Sequence, residues 1–181
     1  MSLKQSLVLS TILAVLIVVG NSAISSEAAT TLLASASGHG TLFSGVASNG
    51  RTFRRQFSFS ARESSDGTVS GNAVLVNPAF DGAHGNQPYL LQIDISCMNV
   101  IGNVAFFGGT TRRTTDPDLV DAVYFSIQDN GEPGANNDLL SSAFFYDDDP
   151  TTTGDPQLCE GNQLGDFPME PIESGNIRLQ P

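Results

Sequence analysis

The chain has 181 residues, a formal net charge of −11, two cysteines, two histidines and no tryptophan. A surface of that sign repels nucleic acid and anionic lipid and attracts cations or a basic partner, although acidity also serves solubility alone. Two cysteines do not complete a structural zinc site, and three tyrosines without a tryptophan disfavour a carbohydrate-binding platform.

Residues 1–6 carry one cation, Lys4, and residues 7–19 are apolar apart from Ser10 and Thr11. Such a run is too short to span a bilayer as a helix and suits the apolar core of a signal peptide. Ser26 and Ala28 take the small-residue positions of a cleavage site after Ala28, so residues 1–28 read as a signal peptide. The alternative is an N-terminal membrane anchor. Export leaves 153 residues with seven arginines, 18 acids and no lysine, enough for one domain with its own core. Charge is unevenly spread, since residues 116–173 hold 14 acids and no Lys or Arg.

Residues 29–37 are small and mixed, and read as a flexible lead-in to a single β domain over residues 38–181. A first strand is expected over residues 39–43. After the Asn49-Gly50 turn, Phe53, Arg55, Phe57, Phe59 and Ala61 share one face of a second strand. Arg55 is the exception on that face, and requires a carboxylate partner or an exposed strand end. Asp66-Gly67 is a hairpin signal into residues 68–76, and residues 77–88 form a long connection. Leu91, Ile93, Ile95 and Cys97 are expected on one face of another strand, and Gly102-Asn103 reverses the chain into residues 104–110. Further strands are expected over residues 119–128, 139–146 and 175–179, with residues 147–174 irregular around Cys159. No sustained helical period appears in the mature chain. The reading is all-β: an antiparallel meander of about seven to eight strands, a partly or fully closed barrel or a sandwich. Short connections favour the meander that is mostly closed.

The loop after the strand ending at Gln128 gathers oxygens. Asp129, Asn130, Glu132, Asn137 and Asp138 fall within ten residues, with turn signals at Asn130-Gly131 and Pro133-Gly134. Hard cations take six to eight oxygens, so these five are candidate ligands for Ca²⁺, and Asp147, Asp148, Asp149 or Asp155 could add more. The spacing is not that of an EF-hand, and the bland alternative is a solvated turn whose side chains cap their own backbone. An oxidising compartment favours a Cys97–Cys159 disulfide over two buried free thiols. For catalysis the sequence offers His39 and His84 without a motif that pairs either with a nucleophile, and its many carboxylates are unfocused. Arg112-Arg113 and Arg51, Arg54, Arg55 are either an anion site or partners for the excess acids.

Several segments in order resemble the post-COAP domain of secreted bacterial proteins. They are Gly38-His39-Gly40, Phe57-Ser58-Phe59, the run from Cys97 to Ala105, Gly108, the run from Phe125 to Gly134, Asp138, and Gly175-Asn176-Ile177. The resemblance implies a bacterial source and a β-rich extracellular module, found alone or at the ends of modular chains. It implies no activity. Ala135-Asn136-Asn137 lengthens the acidic loop beyond the expected pattern, and Asp147-Asp148-Asp149 is peculiar to this chain. The functional expectation is a secreted structural or interaction module without catalytic activity, acting on an extracellular protein or envelope component and calcium-stabilised if the loop binds metal. The alternative is a small-ligand-binding β-barrel whose phenylalanines line a cavity of several hundred Å³. An enzyme ranks third.

Overall fold

The computed structural model describes residues 31–46, 49–78, 89–115, 121–145, 154–161 and 167–181. The expected signal peptide, His84 and Asp147, Asp148 and Asp149 lie outside the described residues. Ten strands form one antiparallel sheet curled into a half-barrel. They are β1 (Leu32–Val46), β2 (Thr52–Ser64), β3 (Val69–Asn77), β4 (Tyr89–Ile101), β5 (Val104–Thr114), β6 (Ala122–Gln128), β7 (Leu139–Ser141), β8 (Phe144–Phe145), β9 (Met169–Pro171) and β10 (Ser174–Gln180). A 3-10 turn, Pro156–Glu160, lies between β8 and β9.

The order across the sheet is β10-β1-β2-β3-β4-β5-β6-β7-β9, with β8 also on β6. Strands β7 and β8 run along the same edge of β6 and act as one interrupted strand: the Ser126 N–H, between their two pairings, donates to Ser141 Oγ at 2.8 Å. Likewise β9 leads into β10 through Ile172 and Glu173 alone. There the Ile172 N–H donates to Asp138 O at 3.0 Å and the Glu173 N–H to Thr41 O at 2.7 Å. The last stretch of chain therefore pairs first with β7 and then with β1, so the two ends of the sheet are consecutive in sequence. Counted this way the meander has the expected seven to eight strands.

Several boundaries differ from expectation: β5 runs on to Thr114, β6 begins at Ala122, and the strand expected over residues 139–146 is the pair β7 and β8. Residues 32–37 are not a flexible lead-in but the first half of β1, paired with β2 from Leu32–Ser64 and with β10 from Ser35–Gln180. The inward positions are Ala34, Ala36 and Gly38, whose small size hides the strand alternation in sequence. The irregular span is also more ordered than expected, since it holds the 3-10 turn and β9.

The core is built by alternation. Leu42, Phe57, Phe59, Ala61, Leu91, Ile93, Ile95, Phe107, Phe125 and Ile127 point inward and are buried. Phe107 stacks on Phe125 with centroids 4.7 Å apart, and Phe59 tilts against both. Burial of side chains this large stabilises by about 1.5–3 kcal/mol each before chain entropy is counted. Gly38 and Gly40 pair with Phe59 and Phe57 on β2, and a Cβ at either glycine would press into the ring opposite. The two sequence pieces are thus halves of one contact. A cavity of about 30 Å³ lies against the core, lined by Phe57, Phe59, Leu75, Ile93, Phe125 and Leu140 among others.

Strands β1 to β3 bury one face. Residues 104–109 of β5 and 122–127 of β6 are buried throughout. The outer face of these two strands is covered by the segment that carries Cys159.

Candidate functional site

The five oxygen-bearing residues of loop 129–138 are brought together, and their oxygens are turned onto N–H groups. Asp138 is fully buried. Its Oδ1 accepts the Asn130 N–H at 2.9 Å and its Oδ2 the Ile177 N–H at 2.8 Å. Asp129 repeats the arrangement one turn away, its Oδ1 accepting from the Gly131 N–H and its Oδ2 from the Leu179 N–H, both at 2.9 Å. Each carboxylate thus holds one amide of its own loop and one of β10.

The choice of amides follows from sheet geometry. On an antiparallel strand, alternate residues direct their N–H to opposite sides. Ile177 and Leu179 have their N–H groups on the edge of β10 away from β1, where no strand among the described residues pairs with it. Two buried donors left there would cost ~1–3 kcal/mol each. The carboxylates replace the missing strand with charge-assisted bonds, which are stronger than neutral ones.

The asparagines hold the loop in shape. Asn130 Nδ2 donates to Asn137 O at 2.7 Å and Asn137 Nδ2 to Asn130 O at 2.9 Å, a reciprocal tie across the loop. Asn130 Oδ1 is taken up by Asn103 Nδ2 at 3.0 Å and Gln128 Nε2 at 2.8 Å. Glu132 faces outward, its Oε1 accepting from Asn176 Nδ2 at 2.9 Å and pairing with Arg178 at 3.2 Å. Gly134 sits against Asp138 and Asn176 with no room for a Cβ. Asn136 takes φ 62°, a left-handed conformation that asparagine tolerates better than most residues.

In this structure the calcium-ligand candidates Asp129, Asn130, Glu132, Asn137 and Asp138 are brought together with most of their oxygens engaged by N–H donors. A calcium shell needs several oxygens converging on one point free of N–H groups. Here the carboxylates diverge onto amides that carry positive partial charge, and the asparagines bond to one another. Among the described residues there is no group of three or more His, Cys, Asp or Glu able to hold a metal ion. Asp155 stands elsewhere, where it caps the 3-10 turn by accepting the Gln157 N–H at 2.9 Å.

The second feature is the cover on the outer face. Cys97 and Cys159 are joined, with Cα atoms 6.2 Å apart and a separation of 62 in sequence. A bulge in β4 between Ile95 and Cys97 breaks its alternation, so Cys97 turns outward while Met98 resumes the inward set. Gly108 on β5 lies beneath Pro156 and Cys159, and a Cβ there would strike the Pro156 carbonyl. The Tyr124 hydroxyl donates to Asp155 O at 2.6 Å. Asp121, only 8% exposed, accepts the Ala122 N–H at 2.6 Å and the Gly154 N–H at 2.5 Å through one oxygen. Sequence reading missed Asp121; its place directly before an apolar strand is the one available signal.

Among the described residues Arg54, Arg55, Arg112 and Arg178 pair with acids. Arg55 lies inside one end of the barrel, its guanidinium on Glu170 Oε2 at 2.6 Å and Ser142 Oγ at 3.1 Å. Arg54, on the opposite face of β2, meets Glu173 at 2.6 Å. Arg112 meets Asp94 at 3.4 Å, and Arg51 lies 5.3 Å from the Phe53 ring centroid. His39 is exposed on the outer face, across from Ser58 on β2 and Asn176 on β10.

The motif pieces therefore meet in space: Asp138 and Gly134 on Gly175-Asn176-Ile177, Gly108 on Cys159, and Gly38-His39-Gly40 on Phe57-Ser58-Phe59. They describe how the sheet's edge is capped and its outer face covered. Compared with family models, with curated proteins and with solved structures, the chain matches none. Among the described residues no helix is long and apolar enough to cross a membrane.

Proposed function

We propose that this protein is an exported bacterial interaction module of the post-COAP type, a rigid non-catalytic β scaffold that presents its strands and loops to an extracellular protein or envelope component. The observation that carries the reading is the packing of the phenylalanine core. The cavity among Phe57, Phe59, Ile93, Phe125 and Leu140 is about 30 Å³, the room of roughly one water, against the several hundred Å³ that a small-ligand site needs. The Cys97–Cys159 disulfide supports an oxidising destination. The meeting of the motif pieces at the capped edge and covered face of the sheet supports the family reading, because a framework accounts for those residues without a reaction. Calcium has no part in this reading: the oxygens that would bind it already serve the amides of loop 129–138 and β10.

The experiment is expression of the whole chain in a bacterium, followed by fractionation and N-terminal sequencing. The reading expects a product beginning at Ala29 outside the cytoplasm with its two cysteines paired. Retention of residues 1–28 in a membrane fraction, or free thiols in the native product, contradicts it.

A further inference from the structure

Where the last strand leaves β1 to join β7, the sheet has an open seam. Pairing of β1 with β10 runs from Ser35–Gln180 to Thr41–Ser174 and stops there. Beyond it, β9 pairs with β7 on one side only, while β1 continues to Val46 with β2 as its single neighbour among the described residues. A polar hollow of about 270 Å³ lies in this region, lined by Phe43, Ser44, Arg55, Asn77 and Glu170. The edge of β1 over residues 42–46 therefore has no strand beside it. Such an edge is a template for another strand.

The two sides of the seam differ in how they are guarded. Strand β9 ends in Pro171, which has no N–H and blunts its edge. The end of β1 has neither proline nor charge, a bulge being its one guard, and carries two exposed apolar side chains, Phe43 at 49% and Val46 at 60%. A bulge between Phe43 and Gly45 decides where they point. Phe43 pairs with Arg54 and Val46 with Thr52, two positions on the same face of β2, so both apolar groups stand together on the outer face. Regular alternation would have put them on opposite faces. Arg51, one residue from Thr52, is exposed and makes no ion pair among the described residues. Arg54 and Arg55, by contrast, are neutralised by Glu173 and Glu170.

We infer that the β1 edge at residues 42–46 is a docking edge for an extended segment of a partner protein, added as a strand. The segment has apolar side chains on the face that meets Phe43 and Val46, and a carboxylate for Arg51. Main-chain hydrogen bonds provide the attachment, and the alternate side chains provide the choice of partner. This inference rests on the interaction-module reading and names the partner's chemistry.

The test uses the oxidised mature protein and an eight-residue peptide of alternating Val and Glu, followed by fluorescence anisotropy, with an N-methylated twin as control. Saturable binding is expected for the plain peptide and none for the twin, which lacks the main-chain donors. Val46→Lys and Arg51→Glu should each weaken binding about tenfold or more, with unchanged melting curves showing that the fold is intact. No saturable binding up to about 1 mM overturns the inference, since that is the weak limit of specific recognition. So does equal binding of the N-methylated twin, or binding that both substitutions leave unchanged. Sedimentation of the protein alone covers the remaining occupant: a dimer abolished by Val46→Lys replaces the partner segment with a second copy, and also overturns it. None of these results bears on export or on the packing of the core, so the module reading survives their failure.

Discussion

Loop 129–138 and the Cys159 segment solve the same problem by different chemistry. Each fastens a polar stretch of chain to a sheet that would otherwise be open. The loop works at an edge, where the deficit is unpaired amides, and it supplies two carboxylates. The Cys159 segment works on a face, where the deficit is exposed apolar surface, and it supplies a covalent bond and a close fit over Gly108. Edges need directional partners, whereas faces need coverage. The oxygens of the acidic loop thus serve the strand beside it.

Substitutions can break that contrast, and the largest effect belongs to the covalent side. Removing the bond with Cys97→Ala and Cys159→Ala should cost about 4 kcal/mol on the loop-entropy model for so long a closure, read by urea unfolding. Asp138→Ala comes next. It leaves the Asn130 and Ile177 N–H groups without their acceptor at a fully buried site, for a loss of about 3 kcal/mol. Gly108→Ala tests the fit of the cover, and should cost about 1–3 kcal/mol by forcing Pro156 and Cys159 away from β5. Asp129 is half-buried, and Asp129→Ala should cost about 1 kcal/mol. If Asp129 and Asp138 instead served a cation, millimolar calcium would raise the wild-type midpoint and either substitution would abolish the rise. The expected result is the same midpoint in calcium and in chelator.

The smallest effect lies outside both regions. In the β2–β3 hairpin, bonding from the Thr68 main chain and then its side chain holds the Asp66 carboxyl below the usual carboxylate range. A lowered folded pKa adds stability above the ordinary carboxylate pKa, and that stability is lost as pH falls through the lowered value. Asp66→Ala should flatten this acid limb of the melting midpoint and leave neutral pH nearly unchanged.

Much of the fold was legible because β chemistry is local. Phe53 to Ala61 declare their face by alternation, Asp66-Gly67 and Gly102-Asn103 mark reversals, and the two cysteines have only each other. Arg55 was legible as a residue in need of a carboxylate, although not as a partner of Glu170, which lies 115 residues away. What escaped depended on distant partners. Small inward residues disguised the start of β1, whose strand character comes from β2 and β10. The loop's composition was visible, but the direction of its carboxylates was not. Asp129 reaches an amide 50 residues away and Asp138 one 39 residues away, and only the curl of the sheet brings them together. A cluster of oxygens looks alike whether it will face a cation or a strand edge.

Amide hydrogen exchange at Ile177 and Leu179 tests that distinction most directly. Both N–H groups lie on the edge of β10 that no strand among the described residues pairs, so their protection depends on Asp138 and Asp129. The account predicts slow exchange at both in calcium-free wild-type protein. It predicts selective loss at Ile177 in Asp138→Ala and at Leu179 in Asp129→Ala, while the β1–β10 ladder amides stay protected. Fast exchange at both positions until calcium is added would contradict it, and would return the loop to metal binding.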